Sequence, residues 1–440
     1  MRHKNKQGIA YSLFPFGSSR QMFLVGEPEE HYTCQDETAD GRQQTAEVSA
    51  DYPRQVRNLL ENVKTVCEEQ GFNENVAAMC HFFIADIGMR ELVRQLAYEI
   101  VPQILGAVTI VPQAPASGVV IAVELWAVSG EKSLAIGKVL ECKPFESGLV
   151  AIAQFDGMKW YFAGGGFQTD SLSIGAYNRS RDAFVWLGYL KHAWFSNLIR
   201  QKMFRLDQLL RTWIYQGHLL LPEGETLRYK ELNRARTDIF GNTQFLKKYL
   251  PKNYQGRVYP ASTGIGADDF DVVMSAVALD TKRKDVTVVP LENPKQTSAF
   301  NYGTVYSPQS PKFSRAVVIS IEDTCLVFVS GTASITNSES QHPEDPVKQT
   351  EQTLDNIAAL IAGQNLDRHG ISGVACGLDN LECVRVYVKR PSELELIRQV
   401  CDRRLPKVPT IYTIADVCRP ELLVEIEGIA LARREPADNR

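Results

Sequence analysis

Several things are missing from this chain of 440 residues, and each absence narrows what it can be. No apolar run is long. The longest, Val119 to Val128, is broken by Glu124 and is about half of what a membrane-spanning helix needs. No two of the nine cysteines form a Cys-x-x-Cys pair, and their number is odd. Free thiols in a reducing compartment fit that pattern better than a disulfide framework. The seven histidines show neither His-x-His nor His-Glu-x-x-His spacing, so no metal site is expected. There is no excess of positive charge: Lys and Arg total 48 against 52 Asp and Glu, a net of -4. A large electropositive nucleic-acid surface is therefore not expected. The start, Met1-Arg2-His3-Lys4-Asn5-Lys6, is not followed by an apolar core, so no secretion signal is expected and a cytoplasmic location is.

What is present is a repeat. A chain this long exceeds one ordinary core, so two or three units are expected. One pattern recurs three times: apolar strand, polar segment, amphipathic helix, strand, second helix, and two closing strands. The last occurrence is the clearest. Leu326 to Val329 runs into the turn Ser330-Gly331-Thr332. Gln349 to Ala362 then places Leu354, Ile357, Leu360 and Ile361 on one helical face. Cys383 to Val388 alternates as a strand, Ser392 to Arg403 reads as a helix, and Thr410 to Val417 and Leu422 to Ala432 close the unit. In the first occurrence the helices fall at Arg54 to Gln70 and Arg90 to Ile100, and the polar stretch Glu27 to Ala50 reads as a long loop. In the second they fall at Arg181 to about Phe195 and Leu227 to Phe240, with Val258 to Ser262 and Phe270 to Ala278 as closing strands. Residues 281–315 lack periodicity and read as an ordered connector.

Three stretches of the last unit resemble the Rid (YjgF) family. They are Val329-Ser330-Gly331-Thr332-Ala333-Ser334, Glu351 to Ile357, and Val424-Glu425-Ile426-Glu427-Gly428. Rid proteins are trimers with active clefts between subunits, so three copies in one chain imply a ring built from a single polypeptide. A second resemblance covers residues 205–433 and is to the chorismatases. It rests on Arg211-Thr212-Trp213-Ile214-Tyr215, on Arg228-Tyr229 with Asn233 and Arg236, and on Tyr259 to Gly266. It continues through Glu292 to Phe300, Tyr306-Ser307-Pro308, Phe313-Ser314-Arg315-Ala316 and Asp416-Val417-Cys418-Arg419. The resemblance implies cleavage of the enol ether of chorismate to pyruvate and 3-hydroxybenzoate, or to a dihydroxycyclohexadiene carboxylate, without a cofactor. The first 130 residues lie outside it.

Enol-ether cleavage needs a carboxylic acid that keeps its proton near neutral pH, which burial or a neighbouring anion provides. Glu425 and Glu427 are two residues apart on one strand and so start on the same face. Side-chain period does not choose between them; the resemblance picks Glu425 as the acid. Aligning the last strands places Glu124 of unit one and Val273 of unit two beside Glu425, which leaves one working cleft and Glu124 as a weaker second candidate. By the same resemblance Cys418, seven residues before Glu425, goes with 3-hydroxybenzoate as product, and Gly331 accompanies it. Arginine suits a dicarboxylate because its fork donates two parallel hydrogen bonds. Arg236 and Arg257 are the candidates, with Gln296 and Tyr302 of the connector as further substrate contacts. The imine deaminases among Rid proteins carry an arginine ahead of the glutamate. Pro409 to Ile414 contains none, which counts against that reaction at this cleft.

Two other signals read as structure. Gly164-Gly165-Gly166 lacks the lysine of a P-loop and the spacing of a dinucleotide fingerprint. Trp194 and Phe195, beside Lys191, His192 and Arg200, read as the inward side of a helix. The expected fold is therefore α+β, three Rid-like units about a pseudo-threefold axis. Residues 1–135 form a degenerate structural unit, 145–285 a degenerate unit on the substrate-binding side, and 290–433 the catalytic unit. The expected substrate is a small chorismate-like dicarboxylate, with no nucleic acid, no membrane and no partner chain. A Rid-type imine or enamine deaminase, or a non-catalytic small-ligand-binding protein, are the alternatives.

Overall fold

The computed structural model describes residues 2–4, 8–29, 45–73, 76–102, 106–130, 132–136, 149–165, 175–189, 204–304 and 306–434. Gly166, most of the polar stretch before residue 45, and the 191–200 segment with Trp194 and Phe195 lie outside them.

Eighteen principal strands fall into three sheets. The first holds β1 (Arg2–Lys4), β2 (Ile9–Phe16), β3 (Ser19–Gly26), β4 (Val76–Ile84), β5 (Ala107–Val111) and β6 (Ile121–Ser129). The second holds β7 (Lys132–Ile136), β8 (Leu149–Phe155), β9 (Met158–Gly164), β10 (Leu209–Gly217), β11 (Ala261–Ala267) and β12 (Val272–Thr281). The third holds β13 (Thr287–Leu291), β14 (Ala316–Ile321), β15 (Thr324–Ala333), β16 (Leu381–Val388), β17 (Thr410–Ile414) and β18 (Val424–Arg434). Strand order is the same in all three: 1-2-3-6-4-5, 7-8-9-12-10-11 and 13-14-15-18-16-17. In each, only the fourth and fifth strands run parallel. The chain is thus one α+β unit used three times.

The leading strands of each unit are the part that periodicity missed. β7 pairs with β8 ahead of the expected start of unit two, and β13 lies inside the stretch read as connector. The closing strand of unit two begins at Ala261, three residues beyond the expected Val258. Helices came closer. α1 (Thr45–Glu69), α2 (Arg90–Ile100), α3 (Ala176–Tyr189), α4 (Arg228–Phe240), α5 (Pro346–Ile361) and α6 (Leu394–Arg404) supply two per unit. α5 starts earlier than its apolar stripe suggests. The Asp345 side chain accepts from the Lys348 N–H at 2.9 Å, and Pro346 needs no partner in the first turn.

The packing explains why the strands are apolar on both faces. In units one and three, α1 with α2 and α5 with α6 cover the outer face of the sheet. The three inner faces meet in one central core. Its middle is aromatic: Trp126 of unit one touches Phe162 of unit two at 5.0 Å and Phe328 of unit three at 5.9 Å between ring centroids. Trp160 of unit two contacts both Trp126 and Phe328. Such ring pairs contribute about 1 kcal/mol each beyond the area they bury. No described helix is long and apolar enough to cross a membrane.

Beside the aromatic layer the axis is polar, and here the pseudo-symmetry is read side chain by side chain. In each unit one residue of the fourth strand lies opposite one of the sixth: His81 and Glu124, Trp213 and Ser275, Arg385 and Glu427. Each fourth-strand residue also reaches the sixth strand of another unit. His81 Nε2 is 2.7 Å from Ser275 Oγ, Trp213 Nε1 donates to Glu427 at 2.8 Å, and Arg385 Nε donates to Glu124 at 2.6 Å. Glu124, Ser275 and Glu427 are therefore equivalent. This corrects the alignment that set Glu124 beside Glu425. The equivalents of Glu425 are Ala122, opposite Phe83, and Val273, opposite Tyr215; Glu425 itself lies opposite Tyr387. A slip of two residues keeps a side chain on the same face, so alternation alone cannot detect it.

Candidate active site

Between units two and three lies a cavity of about 240 Å³. α4 forms one wall with Tyr229, Asn233 and Arg236. The connector supplies Tyr302, Tyr306, Phe313 and Arg315. The end of β15, the 418–421 segment and Glu425 of β18 complete it.

Of the two glutamates on β18, Glu425 faces the cavity and Glu427 the axis. Their surroundings differ. Glu427 accepts from Arg211, from Thr263, from Trp213 at 2.8 Å and from Tyr387 at 3.1 Å, and Arg385 lies 3.2 Å away. Among the described residues none donates a hydrogen bond to Glu425. Burial first, then the Glu427 carboxylate, push the Glu425 carboxyl up to about 8, against the pull of Arg315 and Arg211. Glu425 is thus a neutral acid at neutral pH. The turn before it is shaped for this side chain. Gly331 donates its N–H to Thr263 Oγ1 at 2.9 Å, and a Cβ at residue 331 would collide with Glu425 Oε1.

The cavity is lined by three guanidiniums whose hydrogen-bond partners are neutral. Arg236 is fully buried, donates to Asn233 Oδ1 at 2.5 Å, and leaves its Nε without a partner. Arg315 donates to the Thr297 carbonyl at 3.0 Å and to the Tyr302 hydroxyl, again leaving Nε without one. Arg419 donates to the Ser338 carbonyl at 2.9 Å and to Ser340 at 3.1 Å, stacks on Tyr306, and leaves Nη2 unpaired. Asn233 Nδ2 and Ser307 Oγ are also without partners. Buried donors in this number are costly unless something accepts from them. A small molecule with carboxylates and hydroxyls would do so.

Cys418 lines the same cavity. Burial and the nearby Glu425 push its thiol up to about 12, so it presents a neutral S–H rather than a thiolate. Tyr302 also lines the cavity. Gln296 does not: it donates to the Ile335 carbonyl at 3.0 Å and accepts from Asn293 at 3.2 Å, tying the connector to the turn after β15. Arg257 is exposed and lines a separate groove with Lys247 and Lys312. In the sequence Tyr229, Asn233, Arg315 and Arg419 stand out only as parts of the chorismatase-like stretches. Their signal was position within those stretches, which carried no role by itself. Among the described residues no cluster of His, Cys, Asp and Glu is placed to hold a metal ion.

No family model matches the chain. The curated proteins it resembles include 3-hydroxybenzoate synthase of Streptomyces hygroscopicus, 32% identical over 234 residues, which are 52% of this chain and 65% of that protein. A chorismatase of Streptomyces rapamycinicus is 32% identical over 226 residues, 50% of this chain and 63% of that one. The chain thus spans just under two thirds of the length of these relatives. Among solved structures, a chorismatase superposes with a TM-score of 0.57 at 22% identity, covering 81% of this chain and 93% of that one. The fold is therefore that of a chorismatase, with one α+β unit used three times. The sequence relatives carry the same kind of name as that structure.

Proposed function

We propose that the chain cleaves the enol ether of chorismate, releasing pyruvate and 3-hydroxybenzoate, with Glu425 as the acid. The observation that carries this reading is one buried carboxyl, neutral near pH 7, facing a cavity lined by three guanidiniums that lack carboxylate partners. The names of the relatives supply the substrate and the product.

The chemistry follows from the atoms. The vinyl π pair takes the Glu425 proton at its terminal carbon and leaves the ether carbon as an oxocarbenium ion. Water captures that carbon, the hemiketal collapses to pyruvate and the ring diol, and loss of the other ring hydroxyl as water together with a ring C–H proton then gives 3-hydroxybenzoate. Glu425 regains its proton from the attacking water or from the ring. Chorismate has the same atoms as 3-hydroxybenzoate plus pyruvate, so no water is consumed overall; the dihydroxy product needs one. Arg236, Arg315 and Arg419 anchor the two carboxylates, and Tyr302 orients Arg315. As a neutral thiol, Cys418 favours the aromatic product by filling the wall beside the ring and offering a weak donor, not by attacking it. Units one and two serve as scaffold and substrate wall, and the single chain completes the ring.

The imine-deaminase alternative assigns the substrate carboxylate to Arg257, which opens onto another groove. The test is to incubate the protein with chorismate, follow pyruvate, and identify the ring product by chromatography. Pyruvate with 3-hydroxybenzoate is expected. No pyruvate above background would overturn the proposal, and a dihydroxy product would overturn the role of Cys418.

A further inference from the structure

The charge cluster on the axis reaches all three units and touches no cavity described above, yet one end of it lies beside the acid. β18 places Glu425 and Glu427 on one face, about 7 Å apart along the strand. Two carboxylates this close and this buried do not both ionise readily. The donors decide which of them keeps the charge. Glu427 has Arg211, Trp213 and Thr263 from unit two, and Tyr387 and Arg385 from its own unit. Arg385 is shared: it also donates to Glu124 of unit one and to the Tyr215 hydroxyl of unit two, and it meets the ring of His81 at 2.9 Å. Burial with Arg385 and Arg211 nearby holds His81 well below its ordinary range, so its ring is neutral. Two carboxylates then balance two guanidiniums, and the cluster has no net charge.

We propose that Glu427 is a positioning residue: its charge, pinned on the axis by unit two and by Arg385, keeps Glu425 in its proton-bearing form. Unit one serves the same end, because Glu124 holds Arg385 and stops it from neutralising Glu427 outright. The first unit, which carries no acid of its own at the equivalent of Glu425, would thus act on the cleft across the axis. This rests on the reading of Glu425 as the acid. The groups facing Glu425 are Glu427 on its own strand, Arg211 of β10, Tyr229 of α4, Arg315 of the connector, and Cys418, and Arg236, Arg419 and Glu421 line the same cavity. Among the charges that act on Glu425, Glu427 is the anion and Arg315 and Arg211 are the cations, so removing the Glu427 charge leaves cations dominant. The effect on Glu425 has one sign, towards release of the proton.

The experiment is the pH profile of pyruvate release from chorismate for wild type, Glu427→Gln, Glu427→Asp and Glu124→Gln. Glu427→Gln should move the alkaline limb down by about one pH unit, leave activity below about pH 6 close to wild type, and lower it about fivefold near pH 8 and about tenfold above about pH 9. Glu427→Asp, which keeps the charge, should restore most of the limb. Glu124→Gln should move it in the same direction by a few tenths of a unit. An equal loss at every pH, as a merely structural role predicts, or an unmoved limb, overturns the proposal. If Glu427→Gln does not fold, Glu124→Gln decides in the same way. If wild type releases no pyruvate, the functional reading fails separately. The proton on Glu425 is then followed by the melting-temperature gap between wild type and Glu425→Gln across pH. That gap should level off at lower pH when either axis glutamate is replaced, and no change would overturn the proposal.

Discussion

The cleft between units two and three and its counterpart between units one and two share a backbone and differ in chemistry. In both, a threonine of the fifth strand accepts from a glycine N–H at the end of the neighbouring third strand. Thr263 and Gly331 do so at 2.9 Å, Thr109 and Gly165 at 3.3 Å. The sixth strand then presents Glu425 in one and Val273 in the other. Around Glu425 three guanidiniums lack carboxylate partners, whereas Arg90 of unit one pairs with Asp269 of unit two at 3.5 Å. The fold supplies similar clefts at these two seams. An acid and a set of guanidiniums with no carboxylate hydrogen-bonded to them among the described residues make one of them a candidate site.

That contrast can be broken or sharpened by substitution. The largest effect is expected from Glu425→Gln, which removes the proton donor and should lower pyruvate release by about 10³-fold while a non-reactive dicarboxylate still binds. Arg236→Met should lower kcat/KM by about 10²-fold, mostly through KM, because a charge-assisted contact to substrate is lost. Val273→Glu would set an acid into the counterpart cleft without the cations. It should confer no turnover and destabilise the chain by about 2 kcal/mol at neutral pH, read by denaturant unfolding. Gly331→Ala forces Glu425 aside and should lower kcat about tenfold with little change in KM. Arg257→Ala should change steady-state rates less than twofold, since its side chain opens onto another groove.

Much of this was legible in the sequence, and the parts that were not have a common cause. α2 and α4 were readable because apolar periodicity and end signals agree there. The first two strands of each unit escape the sequence reading: β1, β7 and β13 are short edge strands where alternation is weak, and β2, β8 and β14 are mostly apolar runs without a clear period. The glutamates of β18 were readable as a same-face pair. Choosing between them needs contacts from Arg211 and Trp213, which lie more than 200 residues away in the chain. Glu124 was misplaced for a related reason: a two-residue slip preserves the face, and only pairing with His81 fixes the register. Arg257 and Gln296 sit in plausible motifs. Motif membership does not say which way a side chain points, and the structure turns one to another groove and buries the other against the backbone.

The central claim is that Glu425 holds its proton in the folded chain, and unfolding measures this without substrate. The carboxyl sits up to about 8 in the folded chain against an ordinary 4.5. Between these values the folded state binds more protons than the unfolded state, so its stability falls as pH rises through that window. A glutamine at this position has nothing to ionise and escapes the loss. Melting wild type and Glu425→Gln in parallel from about pH 4 to about pH 9 should show the variant gaining on wild type through that window, with the gap level above it. A gap that stays constant, or that closes as pH rises, would mean that Glu425 is already ionised near neutrality and cannot be the proton donor.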